Sequence, residues 1–269
     1  MRGRSTVYCE TLSEQHRHTR IGLVIGERRD YSWGLPMKRY IGLGIAIVVA
    51  IVTALGIVTA FVRDRGPVPE GFPTPPPEGQ GWINLLDEDR NADWKNVTDD
   101  KEIFEIADGM LHIFGRSIYP LRYAGYTGEV FGDFDLHIEF KVARRANSGV
   151  FLRASGEDPL ARGFEVQVLD DHGKRPNKKR SGAIYDVVTP MFNMSRPTGE
   201  WNSFDITVRG DEVIVFMNGW RIIHTDFSKM TMPLGKFETP YAELPREGIL
   251  MLQDHGGEVW YRNILIRRL

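Results

Sequence analysis

From residue 81 onward, apolar and polar positions alternate in short runs separated by turn residues, the pattern of strands that turn one face to a core. The runs cover 103–106, 110–114, 134–142, 149–153, 164–169, 203–209, 212–217, 220–225, 248–253 and 259–267. Asp108-Gly109, Gly210-Asp211 and Asn218-Gly219 fall between neighbouring runs, and Gly and Asn tolerate the positive φ angles of tight primed hairpin turns. About ten strands with no long helical pattern predict an all-β domain, a two-sheet antiparallel sandwich. No internal repeat is visible.

The run at 164–169 differs from the others in chemistry. Period two sets Phe164, Val166 and Val168 on one face and Glu165 and Gln167 on the other, so one side suits a core and the other carries a carboxylate and an amide. That polar side is the candidate site. A strand with one solvated face shows the same alternation, so neighbouring motifs have to decide between the two readings.

Ahead of the domain, residues 41–62 form a run of 22 without a charge, long enough to cross a bilayer as a helix. A cleaved signal peptide is the alternative, but the run exceeds the usual apolar h-region, and Phe61-Val62-Arg63 lacks the small residues of a cleavage site. Lys38 and Arg39 precede the run with six further arginines upstream, whereas Arg63 and Arg65 follow it with Asp64 between them. The positive-inside bias predicts a single-pass anchor in the cytoplasmic membrane, with the N-terminus in the cytoplasm and the C-terminal domain outside. Residues 1–40 then form a cytoplasmic tail. Its first 36 residues show no periodicity, and Met37-Lys38-Arg39-Tyr40 looks like a signal-anchor start, so translation from Met37 is expected; a native peptide from residues 1–36 would overturn it. Residues 63–80 are rich in proline, which favours an extended polyproline conformation and predicts a spacer between lipid and domain.

A formal net charge of -2 argues against nucleic acid as partner. The single cysteine, Cys9, lies upstream of the apolar run, which excludes an intrachain disulfide and a cysteine metal site. Lys174, Arg175, Lys178, Lys179 and Arg180 surround Pro176 and Asn177, a composition explained by a solvated turn, with a substrate-facing loop as the alternative. No Gly-rich phosphate loop, nucleophile elbow or zinc-binding helix motif occurs, which leaves serine-hydrolase and nucleotide-dependent chemistry without support. A glycosidase with paired carboxylates is also unsupported, because Gln167 stands where a partner for Glu165 is needed.

Three further clusters carry candidate chemistry. In 147–153, Arg153 shares strand parity with Asn147, Gly149 and Phe151, so it could pair with a carboxylate or bind sugar hydroxyls; an exposed strand arginine is the competing reading. Gln253-Asp254-His255-Gly256-Gly257 ends an apolar run, and its histidine is the best general acid/base by pKa, although a hairpin turn explains Asp254 and the glycines. Tyr185 in 181–186 and Trp201 in 199–202 are aromatics of the kind that stack on sugars, with core packing as the alternative for Trp201. Zinc-type ligand spacing is absent, and calcium ligation by Asp170, Asp171 or Asp254 is open but unspecific. No cofactor is expected.

Taken together, the motifs Gly81-Trp82-Ile83-Asn84-Leu85-Leu86, Gly132-Asp133-Phe134-Asp135-Leu136, Asn147-Ser148-Gly149-Val150-Phe151-Leu152-Arg153, Gly163-Phe164-Glu165-Val166-Gln167, Gly199-Glu200-Trp201-Asn202 and Leu252-Gln253-Asp254-His255-Gly256 resemble the 3-keto-disaccharide hydrolase domain family. Tyr261-Arg262-Asn263-Ile264 continues the likeness, which spans essentially all of 81–269. One departure is the segment 87–94, where the family usually has an Asn-Gly-Lys-type turn before its tryptophan. The resemblance implies a concanavalin A-like jelly-roll sandwich that cleaves glycosides whose sugar carries a ketone at carbon 3, supplied by a separate sugar 3-oxidoreductase. It implies Glu165 and His255 as the acid/base residues, Arg153 and Gln167 as oxyanion and hydroxyl ligands, and Asn147, Tyr185, Gln253 and Asp254 as further substrate contacts. The expected partners are carbohydrate and, through 41–62, the membrane. A non-catalytic, lectin-like carbohydrate-binding module is the rival reading, since the same sandwich serves both uses, and a purely structural surface domain is a third.

Overall fold

The computed structural model describes residues 70–155, 162–235 and 237–269. The expected tail and transmembrane run, 1–40 and 41–62, lie outside the described residues, as does the first part of the proline-rich segment. Among the described residues, no helix is long and apolar enough to cross a membrane.

The strands of the domain are β1 (Ile83–Asn84), β2 (Trp94–Asn96), β3 (Phe104–Ala107), β4 (Met110–Ile113), β5 (Arg122–Phe131), β6 (Phe134–Val142) and β7 (Asn147–Ala154). They continue as β8 (Phe164–Leu169), β9 (Trp201–Arg209), β10 (Glu212–Met217), β11 (Trp220–Asp226), β12 (Gly248–Asp254) and β13 (Val259–Arg268). Two antiparallel sheets result, one ordered β11-β10-β9-β6-β13-β4-β3 with β1 also on β13, the other β2-β5-β12-β7-β8. The fold is thus the all-β, two-sheet sandwich that the alternation predicts.

Between the sheets lies one core. β6 sends Phe134, Leu136, Ile138, Phe140 and Val142 into it, and β8 sends Phe164, Val166 and Val168. Each such side chain stabilises the fold by roughly 1.5–3 kcal/mol. A one-residue slip in either strand would turn all of them outward, so core burial determines the register.

β1, β2 and β5 were not expected from the pattern. β5 reads Arg-Tyr-Ala-Gly-Tyr-Thr-Gly-Glu-Val-Phe and is buried on both faces over its first half. Ala124 and Tyr126 enter the main core while Tyr123 joins a second apolar cluster with Phe151, Ala154 and Met251 on the sheet's other side. A strand covered on both sides has no alternation to display. The divergent segment 87–94 is a short 3-10 turn, Glu88–Asp93, that delivers Trp94 to the core, where the indole donates to Leu85 O at 2.8 Å.

The spacer expected at 63–80 is not free over its described part. Thr74 donates from its backbone N to Ser203 Oγ at 2.9 Å and from its hydroxyl to Asp205 Oδ2 at 2.5 Å. Gly71 O accepts from Arg196 at 3.0 Å, and that guanidinium lies 4.9 Å from the centre of the Phe72 ring. Within 73–77 all residues except Thr74 are proline, so Thr74 carries the one backbone donor and the polar outer face of β9 satisfies it.

Candidate functional site

Pairing of β7 with β8 sets Phe151 opposite Glu165, Gly149 opposite Gln167 and Asn147 opposite Leu169. Period two then places these six residues on the face of the five-stranded sheet that points away from the core. Gln253 and Met251 from β12 and Tyr123 from β5 share it, since Met251 pairs with Phe151 and Gln253 with Tyr123. One half of the face is apolar, the cluster of Tyr123, Phe151, Ala154 and Met251. The other half is a cleft of about 160 Å³ that brings together Glu165, Gln167, Asn147, Tyr185, Gln253 and His255, six of the eight expected site residues. Leu121, Leu169 and Lys179 complete its wall. The cleft is smaller than the ~300–1,000 Å³ of pockets for drug-sized ligands.

Glu165 is 5% exposed and Gln167 3%, so the polar side of β8 is covered, and the solvated-face reading fails. Part of the cover is the segment after β8, which folds back beside it. Gln167 N donates to Ala183 O at 3.0 Å, Gly182 N to Gln167 O at 2.8 Å and Tyr185 N to Glu165 O at 3.0 Å, with Val166 bridged to Ile184. That pairing puts Tyr185 beside Glu165. Burial, then the charges of Glu165 and Asp186, push the Tyr185 pKa up, which keeps the phenol protonated and able to donate.

Two glycines make the arrangement possible. A Cβ on Gly149 would stand 2.2 Å from Glu165 Oε1 and 2.8 Å from its Cγ and Cδ, so the carboxylate occupies the space over that residue. At the β12–β13 turn, Gly257 has φ +77° and a Cβ there would meet Ala146 Cα at 2.5 Å. This close approach seats the turn on the start of β7, with Asn147 N donating to Gly256 O at 2.8 Å and Asn147 Nδ2 lying 2.8 Å from His255 Nδ1. Asn147 Oδ1 is in turn 2.9 Å from Gln167 Nε2.

Arg153 and Asp254 are not in the cleft. Arg153 has φ +51°, and the β7–β12 register shifts between Ile249 and Met251. This bulge breaks the parity on which its placement rested, a recognised effect of one extra residue in a strand. Its buried guanidinium instead reaches the other sheet, donating to Gly132 O at 2.9 Å, Gly210 O at 2.7 Å and Asp133 Oδ1 at 2.9 Å. Asp254 is fully buried and accepts the backbone N–H groups of Arg116 and Ser117, both at 3.2 Å, and of Gly256 at 3.3 Å. It holds the turn that carries His255. The other aspartates considered for calcium are likewise engaged within the chain. Asp171 accepts from Ser181 N and Oγ at 3.0 and 2.8 Å, and Asp170 from Arg145 N and Thr198 Oγ1 at 2.8 and 2.6 Å. Trp201 lies on the outer face of the eight-stranded sheet, with Arg262 4.0 Å and Lys141 5.0 Å from its ring, and belongs neither to the core nor to the lining of the cleft.

The cleft also holds a residue that the sequence pattern left among solvated loop positions. Lys179 reaches it from the basic segment 174–180, its Nζ 3.9 Å from Asp186 Oδ1. The concentration of cations between two site segments was the available signal. The site's cation therefore comes from the loop and not from Arg153.

Within a two-sheet sandwich, a carboxylate, an imidazole and three amides thus converge on one cleft. Residues 81–267 match the family described as 3-keto-alpha-glucoside-1,2-lyase-like domain, and the chain belongs to that family. A 3-keto-disaccharide hydrolase of Bacteroides thetaiotaomicron is 28% identical over 235 residues, covering 72% of this chain and 80% of that one. Among solved structures, a protein of Parabacteroides distasonis named as a candidate glycosyl hydrolase superposes with a TM-score of 0.60 at 27% identity, covering 70% of this chain and 99% of that one. A second such protein of that organism gives 0.55 at 26% identity, with 78% and 96% covered.

Proposed function

We propose that the domain cleaves glycosides whose sugar is oxidised to a ketone at carbon 3. The observation that carries this reading is the cleft itself, in which Glu165 and His255 stand together beside hydroxyl-binding amides, a phenol and a lysine. A ketone at carbon 3 acidifies the proton on carbon 2. A base removes that proton, and the electron pair collects on the ketone oxygen as an enolate. Its return expels the alcohol from carbon 1, whose oxygen takes a proton from an acid, and water then adds across the carbon 1–carbon 2 double bond. Glu165 and His255 are the two groups that take and return protons. Lys179 and the Tyr185 hydroxyl are suited to the enolate oxygen, because a cation and a protonated phenol both stabilise developing negative charge.

The family match and the Bacteroides thetaiotaomicron hydrolase support the substrate class. Under this reading the substrate is supplied by a separate sugar 3-oxidoreductase, and the apolar run 41–62 anchors the domain on the outer side of the cytoplasmic membrane. Incubating the full chain with matched 3-keto and ordinary glucosides, with and without chelator, tests the activity. Release of the alcohol from the 3-keto compound alone is the expected result. Binding without product would favour the lectin-like module, and Glu165→Gln with near-normal turnover would remove Glu165 from the mechanism, since loss of a positioned acid/base group costs about 10²–10⁴-fold in rate.

A further inference from the structure

Two carboxamides stand in line between Glu165 and His255. With Gln167 Nε2 toward Asn147, the Gln167 oxygen faces only acceptors, Glu165 Oε1 and Ser148 O. Turned over, the nitrogen donates to both, at 2.7 and 3.2 Å, and the oxygen faces the Asn147 amide at 2.9 Å. Buried acceptors placed against each other are costly, so the second orientation prevails. The choice then propagates. Asn147 must give its nitrogen to the Gln167 oxygen, which leaves its own oxygen toward His255 Nδ1, 2.8 Å away. Only a protonated Nδ1 satisfies that oxygen.

From this geometry we propose that Gln167 and Asn147 are positioning residues that hold neutral His255 as its Nδ1–H tautomer, leaving Nε2 as the nitrogen that exchanges protons. The direction of the chain is set at its far end by two oxygens that accept from the Gln167 nitrogen, Glu165 Oε1 and the Ser148 carbonyl. The second ring nitrogen of a histidine commonly fixes which nitrogen does chemistry, and here the fixing group is a carboxylate two amides away. The inference rests on the acid/base reading of the cleft and adds that the two acid/base groups are linked: acceptors at the Glu165 end of the amide pair fix the proton position on His255.

The test is ¹⁵N NMR of the full chain labelled at histidine, above the pH at which His255 loses its second proton, on wild type and Gln167→Leu. Wild type should show Nδ1 protonated and Nε2 bare. In Gln167→Leu, which removes the link that does not touch His255, Asn147 is released and the signal should move to the Nε2–H form. A bare Nδ1 in wild type, or an unchanged tautomer in Gln167→Leu, overturns the proposal. Asn147→Leu guards against a shift caused by general loosening: it deletes the direct contact and should give the same Nε2–H form. Turnover of the 3-keto glucoside is read separately. An inactive wild type with Nδ1–H and the expected switch sinks the substrate reading and leaves the relay standing, whereas an active wild type with a bare Nδ1 does the reverse.

Discussion

Gly149→Ala tests whether the Glu165 carboxylate must sit where it does. Gly149 lies within β7, and its φ is not among the positive values, so alanine brings no backbone strain. The conflict is local. An added Cβ would lie 2.2 Å from Glu165 Oε1 and 2.8 Å from Cγ and Cδ, against an ordinary carbon contact of about 3.5–4.0 Å. Because the middle of the side chain is hit as well as its tip, rotating the carboxylate does not relieve the clash; the whole side chain has to withdraw by more than an ångström. Overpacking of this kind costs about 1–3 kcal/mol of stability, and a misplacement of about 1 Å at the reacting centre costs on the order of 100-fold in rate. Steady-state turnover of a 3-keto glucoside and thermal unfolding, measured on one preparation, separate the two effects. The expected result is a folded protein with kcat lowered about 100-fold and KM changed far less. Wild-type kcat in a folded Gly149→Ala would refute the placement of Glu165 as an acid/base group.

Arg153→Leu should behave in the opposite way: it leaves the carbonyls of Gly132 and Gly210 without their donor, at about 1–3 kcal/mol each, so unfolding midpoints fall while kcat per folded molecule holds. Lys179→Met should lower kcat by roughly tenfold, less than the 10²–10³ of a buried oxyanion donor, because its side chain is 59% exposed and water screens its charge; a rise in KM alone would move it from chemistry to binding. On the other sheet, burial would raise the Glu139 pKa, but His137 3.8 Å away and hydrogen bonds from Asn263 and Arg262 hold it at about 2 against an ordinary 4.5. Its stabilisation, on the order of 3 kcal/mol, is therefore complete above pH 4.5 and lost as pH falls toward 2; Glu139→Gln should flatten the acid limb of an unfolding midpoint against pH profile. His137 has the reverse sign: burial lowers its pKa, but Asp205 and Glu139 raise it further, to a net value above 6.5. Its stabilisation is present below pH 6.5 and lost as pH rises through the raised value, so His137→Gln should remove an alkaline slope.

Much of the site was legible before folding because its parts lie on strands or in motifs whose geometry is local. Period two alone places Glu165 and Gln167 on one side of β8, and the glycines after Asp254 mark a turn able to approach another strand. Three features were decided only by tertiary structure. Arg153 left the face of Asn147 through a bulge, and a break in pairing between two strands leaves no trace in the alternation of either one. β5 stayed hidden because burial on both faces removes the contrast that alternation depends on. Tyr185 was expected at the site, but its seat beside Glu165, and the arrival of Lys179 from the preceding loop, depend on segment 182–185 hydrogen-bonding back along β8, a contact between backbones that composition does not encode. The sequence by itself determined which groups could do acid/base chemistry and the strand face that bears two of them. Packing decided which of those groups meet, since side chains from β7, β8, the loop after β8 and the turn after β12 become neighbours only when their strands pair and their glycines let them close.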